Sequence, residues 1–432
     1  VLTVYTFIPQ GHTASSYYRL LVPFQTAHEL GMKVRVHVDT NDTRIDQDMR
    51  VRTFCESDVI CLYQPIGDSV LQNLRSARSF IPSKRDGNWK YPPSVVIETD
   101  DNIFHVGPYN QAYKTLGIRD VDGELIPPGH MMGEVREGER RILWKDGANG
   151  FDVMRNRHNL ETYKQIIELA DCVSCTTKHV EDTVYKYASP SRTAIFPNLV
   201  RFDHYEQIEL KKDPKRINIL WQGGASHYED WYPLRDSLGR ITRKYPEVHW
   251  TIWGQLYPWV TELIPADRYT FKNWAPYDEY KLRRMMVGED ISLAPLHDDP
   301  FNRCRSAIKW YEASVAKNPA PTLAQATGPY KDEIEDGKTG LLFNSSKEFE
   351  EKLSTLIENK RLRNELASNA KDWIKDNRDA FKHAPKYIHF LEHLRDEAPR
   401  DLPHMPEEQW PEFEKRFLDS VQAEAEQATK EG

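Results

Sequence analysis

Residues 216–231 read RINILWQGGASHYEDW. An apolar run with β-branched residues enters two glycines, and a helix-like pattern takes over near Trp231 and continues to about Lys244. Strand, glycine turn and helix in that order form one unit of a parallel α/β fold. The stretch decides the fold because it is a restart. Ahead of it lies a polar segment, FDHYEQIELKKDPKR (202–216), and ahead of that a complete earlier series. In that series VLTVYTF (1–7), KVRVHV (33–38), DVICLYQ (58–64), SVVIETD (94–100), DCVSCTT (171–177) and RTAIFPN (192–198) read as strands. A helix is expected over Tyr17–Leu30, stopped by Gly31. After the restart HWTIWG (249–254), YTFKNW (269–274), ISLAPL (291–296) and NPAPTL (318–323) read as strands, each followed by helix-like sequence. The spacing therefore predicts two Rossmann-like, doubly wound α/β domains. They are expected at 1–200 and 216–380, with a linker at 201–215 and C-terminal helices with an acidic tail at 381–432.

Residues 103–160 break the rhythm and contain IPPGHMMGEVREGERR, which is long for an ordinary connection. A binding lid and a plain surface excursion are both open readings of this insertion in the first domain. The 432 residues carry a net charge of −8, and residues 401–432 hold −6 of it. The body is nearly neutral, so charge does not exclude a nucleic-acid partner. With 39% hydrophobic and 11% aromatic residues the chain can build cores, which excludes general disorder. No apolar run is long enough to span a membrane. VLTVYTFIPQG lacks a basic lead and is expected to be a first strand, not a signal peptide. Five cysteines (55, 61, 172, 175 and 304), odd in number and loosely spaced, do not suggest a disulfide framework; the Cys172/Cys175 pair is expected as buried structural thiols, in a reducing, cytoplasmic setting. The pair lacks a second ligand pair for zinc, so no zinc site is expected there.

Four segments carry chemistry. LAPLHDDPFNRCRSAIKWYE (293–312) leaves a strand, crosses a polar loop and enters a helix expected near Ser306. Arg305 and Lys309, four apart, would share one helix face beside unpaired backbone N–H groups, which suits a diphosphate. Glu312 lies a turn further and could accept from a ribose diol. An ordinary solvated helix start is the other reading. Gly223 and Gly224 let a backbone approach a phosphate, although they match neither a dinucleotide fingerprint nor a P-loop. Gly11, His12, Ser16 and Arg19 follow the first strand, where open sheets bind ligands, although the serines also suit a helix cap. Asp100 and Asp101 end another strand, as a base candidate, as a pair that could hold a metal, or as turn chemistry. A basic stretch with interleaved aromatics contains Arg75, Arg78, Lys84, Arg85, Trp89 and Lys90, which suits a nucleic-acid backbone or simply a solvated loop.

FNRCRSAIKWYEASVAKNPAP (301–321), GPYKDEIEDGKTGLLF (328–343) and RLRNELASNAKDW (361–373) together resemble the C-terminal domain of group 1 (family 4) glycosyltransferases. The resemblance extends back through the Gly223–Gly224 turn and RTAIFPNLVRFD (192–203). It is weaker in the first half. It implies the GT-B fold, two Rossmann-like domains facing a cleft. It also implies sugar transfer from a nucleotide sugar, UDP-linked by preference, to a hydroxyl of a saccharide or lipid-linked glycan. A retaining course and no required cofactor or divalent metal follow from the same resemblance. By position, Glu312 would hold the donor ribose. Arg305, Ser306 and Lys309 would meet the diphosphate, Gly223, Gly224 and His227 would face the phosphates, and Asn273 and Trp274 would cradle the base. Cys304 stands where the family's first motif glutamate falls, so the sequence is closer to a subgroup with N-x-x-[KR]-S-x-x-K-x-x-E. The basic stretch adds a hydroxymethylated base in DNA, as in phage-type modification, as a second acceptor class. A catalytically degenerate GT-B binding module and a sugar-nucleotide epimerase are the alternatives. Donor sugar and oligomeric state are not readable.

Overall fold

The computed structural model describes residues 1–8, 14–39, 53–78, 83–85, 88–90, 92–136, 139–205, 215–276, 279–280, 284 and 287–397. Gly11, His12 and the acidic tail lie outside them. So do the side chains of Lys84, Arg85, Trp89 and Lys90.

The first domain contributes β1 (Leu2–Phe7), β2 (Val34–Asp39), β3 (Val59–Tyr63), β4 (Ser83–Arg85), β5 (Asn88–Lys90), β6 (Ser94–Thr99), β7 (Met131–Arg136), β8 (Glu139–Lys145), β9 (Cys172–Cys175) and β10 (Thr193–Ile195). Six of these form a parallel sheet in the order β10-β9-β6-β3-β1-β2, while β4-β5 and β7-β8 are separate hairpins. The second domain contributes β11 (Ile217–Gly223), β12 (Val248–Gly254), β13 (Tyr269–Asn273), β14 (Ile291–Ala294), β15 (Thr322–Gln325) and β16 (Leu341–Phe343), a parallel sheet in the order β13-β12-β11-β14-β15-β16. Every expected strand is present. β3, β6 and β14 are buried along almost their whole length, which explains continuous apolar runs in place of alternation.

The helix after β1 runs as Ala14–Ser16, a wide π turn over Tyr17–Leu21, and Val22–Glu29. Val22 N–H reaches back to Tyr17 O, and Pro23 has no N–H to restore the tighter ladder. Gly31, at φ 73°, ends the helix as expected. The last helix, Ala380–Glu397, returns to the first domain. Tyr387 packs on Phe24 and Phe196, and its hydroxyl bonds Glu98. One apolar core consequently runs from Leu2 and Leu20 through Trp310 and Ile374 to Leu391 and joins the domains.

Part of the insertion at 103–160 packs into the first domain. Tyr113, Met132, Phe151 and Val153 are buried, and Tyr113 stacks on Phe151 with ring centroids 5.3 Å apart. The segment leads directly into helix Val153–Leu169, N-capped by Asp152. The cysteine expectation holds at Cys172 and Cys175, both buried and free; Cys61 and Cys304 are also buried and free, while Cys55 is half-buried.

Gly254 fixes the end of β12. Its φ is +106°, and an added Cβ would lie 2.4 Å from the Gly223 carbonyl oxygen. Gly254→Ala is expected to destabilise the second domain by more than the ~1–2 kcal/mol of a left-handed residue, because backbone must also move. Urea unfolding followed by tryptophan fluorescence checks this, since Trp221, Trp231 and Trp259 stack beneath that turn.

Candidate functional site

In a doubly wound sheet ligands settle where strand order reverses, outside the carboxyl ends. In the second domain that point lies between β11 and β14, so the loops after Gly223 and Ala294 frame it. Across from them stands the end of β6. Asn102 Nδ2 donates to Pro300 O at 3.1 Å, which ties the two sides together.

Asp230, only 3% exposed, organises the second-domain side. Its carboxylate accepts from His227 Nδ1 at 2.5 Å, His297 N–H at 2.6 Å and Asn302 Nδ2 at 3.2 Å. One buried carboxylate thus joins the glycine loop to the loop after β14. It also holds His227 with Nε2 turned to Lys309 Nζ, 3.4 Å away. Burial, then the Lys309 charge, push the His227 pKa down to about 4, so the ring is neutral at neutral pH. Burial likewise brings the Lys309 pKa down to about 8, with Asp230 opposing and Arg305 assisting.

Arg305 faces Asp101, Nε to Oδ1 at 3.8 Å, and lies over the Phe301 ring at 4.9 Å. That separation is too long for a hydrogen bond, and Arg305 Nε is buried without a hydrogen-bond partner among the described residues. Burial raises the Asp101 pKa to about 7, against the pull of Arg305 and with the push of Asp100. Asp100 is buried and accepts from Tyr63 OH at 2.6 Å. The result is two cations, an unmet guanidinium donor and a carboxyl balanced near neutrality, all within one cleft.

Several sequence expectations change. The helix begins at Ile308, not near Ser306, and Arg305 precedes it in extended conformation. Arg305 and Lys309 are therefore not stacked on one helix face; the loop geometry brings them together. Gly328, at φ +47°, permits that loop, because a Cβ there would meet the Arg303 backbone at 2.8 Å. Ser306 accepts from Asn198 Nδ2 at 3.0 Å, a link to the end of the first domain. Gly223 and Gly224 do form the turn after β11, and Tyr257 OH donates to Gly224 O at 3.2 Å.

Glu312 is buried and bonded to protein. Tyr18 OH donates to Oε1 at 2.8 Å, while Tyr280 OH and Gln222 Nε2 donate to Oε2 at 2.6 and 3.2 Å. Cys304 does not occupy a sugar-facing position. Its thiol is buried against helix Lys178–Tyr187 of the first domain, 3.3 Å from Thr183 Oγ1 and 3.5 Å from His179 O. Burial raises its pKa to about 11, which suits a packed thiol. Trp274 is 73% exposed beyond β13, and Asn273 contributes its carbonyl to Trp253 Nε1 at 3.0 Å.

Arg19 is not a cleft residue. The wide turn carries it into the core, where it pairs with Glu98 and donates to Ser174 Oγ at 2.7 Å and to Phe196 O. Ser16 is buried at the start of the same helix. Arg75 and Arg78 are likewise turned onto the protein. Arg75 bonds Gln165 at 3.0 Å, and Arg78 bonds Asp171 at 2.7 Å and Leu169 O at 2.9 Å. They link helix Asp68–Arg78 to helix Val153–Leu169 and the turn after it, Arg75 remaining exposed. Sequence reasoning missed Asp230, Asn302, Gln222, Tyr280 and Tyr18. The His227/Asp230 spacing of three was a readable signal for the first; nothing local marks Tyr18. Among the described residues no group of three or more His, Cys, Asp or Glu side chains is arranged to hold a metal ion, and no helix is long and apolar enough to cross a membrane.

A family model described as "Glycosyl transferase-like" matches residues 235–392. Trehalose synthases of Thermococcus litoralis and Pyrococcus furiosus are each 24% identical over 263 residues, covering 54% of this chain and 61% of theirs. The chain thus spans less than two thirds of those relatives. HepE of Anabaena, solved in complex with UDP and glucose, superimposes with a TM-score of 0.58 at 14% identity, covering 91% of this chain and 100% of that one. Sucrose-phosphate synthase of Thermosynechococcus elongatus gives 0.57 at 12% identity, covering 91% and 99%.

Proposed function

We propose that this chain, a glycosyltransferase of GT-B fold, moves a sugar from a UDP-sugar to a hydroxyl of a saccharide acceptor. The carrying observation is the convergence of Lys309, Arg305 and the Gly223–Gly224 turn at the strand-order reversal of the second sheet. Departure of a nucleoside diphosphate builds negative charge on the phosphates. Fixed, half-buried cations stabilise that charge more in the transition state than in the ground state. Arg305 Nε, buried and unbonded, is a donor set toward such an oxygen. Asp101, at the end of β6, stands opposite as the group that takes or steers the acceptor proton. Relatives named for trehalose and sucrose phosphate, and a structural neighbour holding UDP and glucose, support a UDP-sugar donor and a sugar acceptor. Retention of anomeric configuration is part of the proposal, and proton NMR of the product reads it. An inverted product would make Asp101 the direct base.

The test is thermal unfolding of the full chain with UDP, GDP and their glucose conjugates. Ligand at about 100 times its dissociation constant stabilises by ~2.7 kcal/mol, so UDP is expected to raise the transition clearly. Absence of a shift with every nucleotide would remove the donor assignment.

A further inference from the structure

A second pocket, of about 350 Å³, opens in the first domain and belongs to none of the groups described above. Phe104 and Tyr187 line it, stacked with ring centroids 4.5 Å apart, and Ile118 and Leu160 extend the apolar wall. Three cations, Arg119, Arg157 and Lys164, line it as well. Against them stands Glu161, paired with Lys164 at 3.3 Å. Asp120, beside Arg119, is turned to the backbone N–H groups of Asp122 and Glu124. Arg119 Nη1 and Arg157 Nη2 bond only neutral carbonyls, those of Gly123 and Ile126, both at 2.8 Å. No ion pair of either guanidinium is found among the described residues, and Arg119 Nε is buried without a hydrogen-bond partner. His105, 2.7 Å from Tyr187 OH, senses the same positive field. Its pKa falls to about 4 through burial and then through the Arg119 and Lys186 charges.

An apolar slot of ligand size with a few convergent polar groups is how small-molecule sites are built. Two uncompensated guanidiniums at its wall select an anion. We infer that this pocket is a binding site for an amphipathic anion, an aromatic or alicyclic body carrying a carboxylate, phosphate or sulfonate. Phe104, on the pocket wall, follows Asp101 by three residues, which places one wall close along the chain to the proposed acceptor-side carboxyl. The anion can therefore be the non-reacting part of the acceptor or a separate effector.

The probe is 8-anilinonaphthalene-1-sulfonate, compared with neutral N-phenyl-1-naphthylamine, on the full chain with UDP saturating the donor cleft. One bound sulfonate per chain is expected. Lys164→Glu and Leu125→Glu place a negative charge at the mouth, on a half-buried and a 55%-exposed position, so folding is retained. Each is expected to weaken the sulfonate roughly tenfold, as one added repulsive contact of ~1.4 kcal/mol does; Lys164→Glu is expected to leave the neutral probe unchanged, and Leu125→Glu, which also removes apolar lining, to weaken it less than the sulfonate. Equal sulfonate affinity in wild type and both variants would overturn the site. Competition between probe and an anionic acceptor identifies the occupant as acceptor. Undiminished binding beside saturating acceptor identifies an effector. The UDP-induced thermal shift is read in the same samples, so failure of this site and failure of the donor assignment are separable.

Discussion

Lys309→Ala and Arg305→Ala are each expected to lower turnover by about 30- to 1000-fold, the ~2–4 kcal/mol typical of one lost transition-state charge contact. Stability is expected to change much less. Lys309 is half-buried at a desolvation penalty that brings its pKa down to about 8, so its removal relieves part of what it loses. For Arg305→Ala the consequence appears at Asp101. Without the guanidinium that lowers it, the carboxyl is expected to titrate higher still, so the acidic limb of the rate profile moves to higher pH. Lys309 also gives nucleotide binding a pH dependence whose sign is fixed. The free enzyme's ammonium is lost as pH rises through about 8. A bound diphosphate would raise that pKa, so UDP affinity is full below about 8 and declines above it, with proton uptake on binding. Calorimetry in buffers of different ionisation enthalpy reads the uptake, and Lys309→Ala should abolish it. Wild-type turnover in both variants would sink the diphosphate assignment.

Asp230→Ala has the second large effect, and it falls on structure and binding together. The substitution strips the acceptor from His227 Nδ1, His297 N–H and Asn302 Nδ2 at once. Buried donors left unsatisfied cost ~1–3 kcal/mol each, partly relieved by relaxation, so a loss on the order of 2–4 kcal/mol in urea unfolding is expected. The charge is lost to Lys309 too, which Asp230 helps keep protonated. UDP affinity should therefore begin its decline at a lower pH than in the wild-type protein. Asp230→Asn separates the two contributions. Its amide oxygen still serves one backbone donor, so stability recovers partly, while the shift in the pH profile persists. A variant that loses stability but keeps the wild-type pH profile would reduce Asp230 to a purely structural link.

The site was legible where chemistry clusters along the chain. Arg305, Lys309, His227 and the glycine pair lie within two short segments that each leave a strand, and strand ends are where such sheets bind ligands. Legibility failed where one residue type serves two roles. Arg19, Arg75 and Arg78 looked like ligand contacts, yet a guanidinium forms equally good bonds with buried carboxylates and carbonyls. Whether it turns in or out depends on a neighbour distant in sequence, such as Glu98 for Arg19. Cys304, which stands where the family's first motif glutamate falls, packs on Thr183 and so forms part of the domain junction, which no local pattern announces.

Two parallel sheets, their strand positions and the restart near residue 216 were set by the sequence alone, because apolar runs, glycine turns and helical spacing are local properties. Tertiary structure alone decided that the last helix returns to the first domain and that Glu312 is shared by Tyr18, Gln222 and Tyr280. It alone decided that one buried Asp230 binds two loops, and that three cations and an aromatic pair line the same pocket in the first domain. Each joins groups far apart in the chain. Their pairing is fixed by desolvation, which leaves a buried charge or donor little choice of partner, and that choice exists only once the chain has folded.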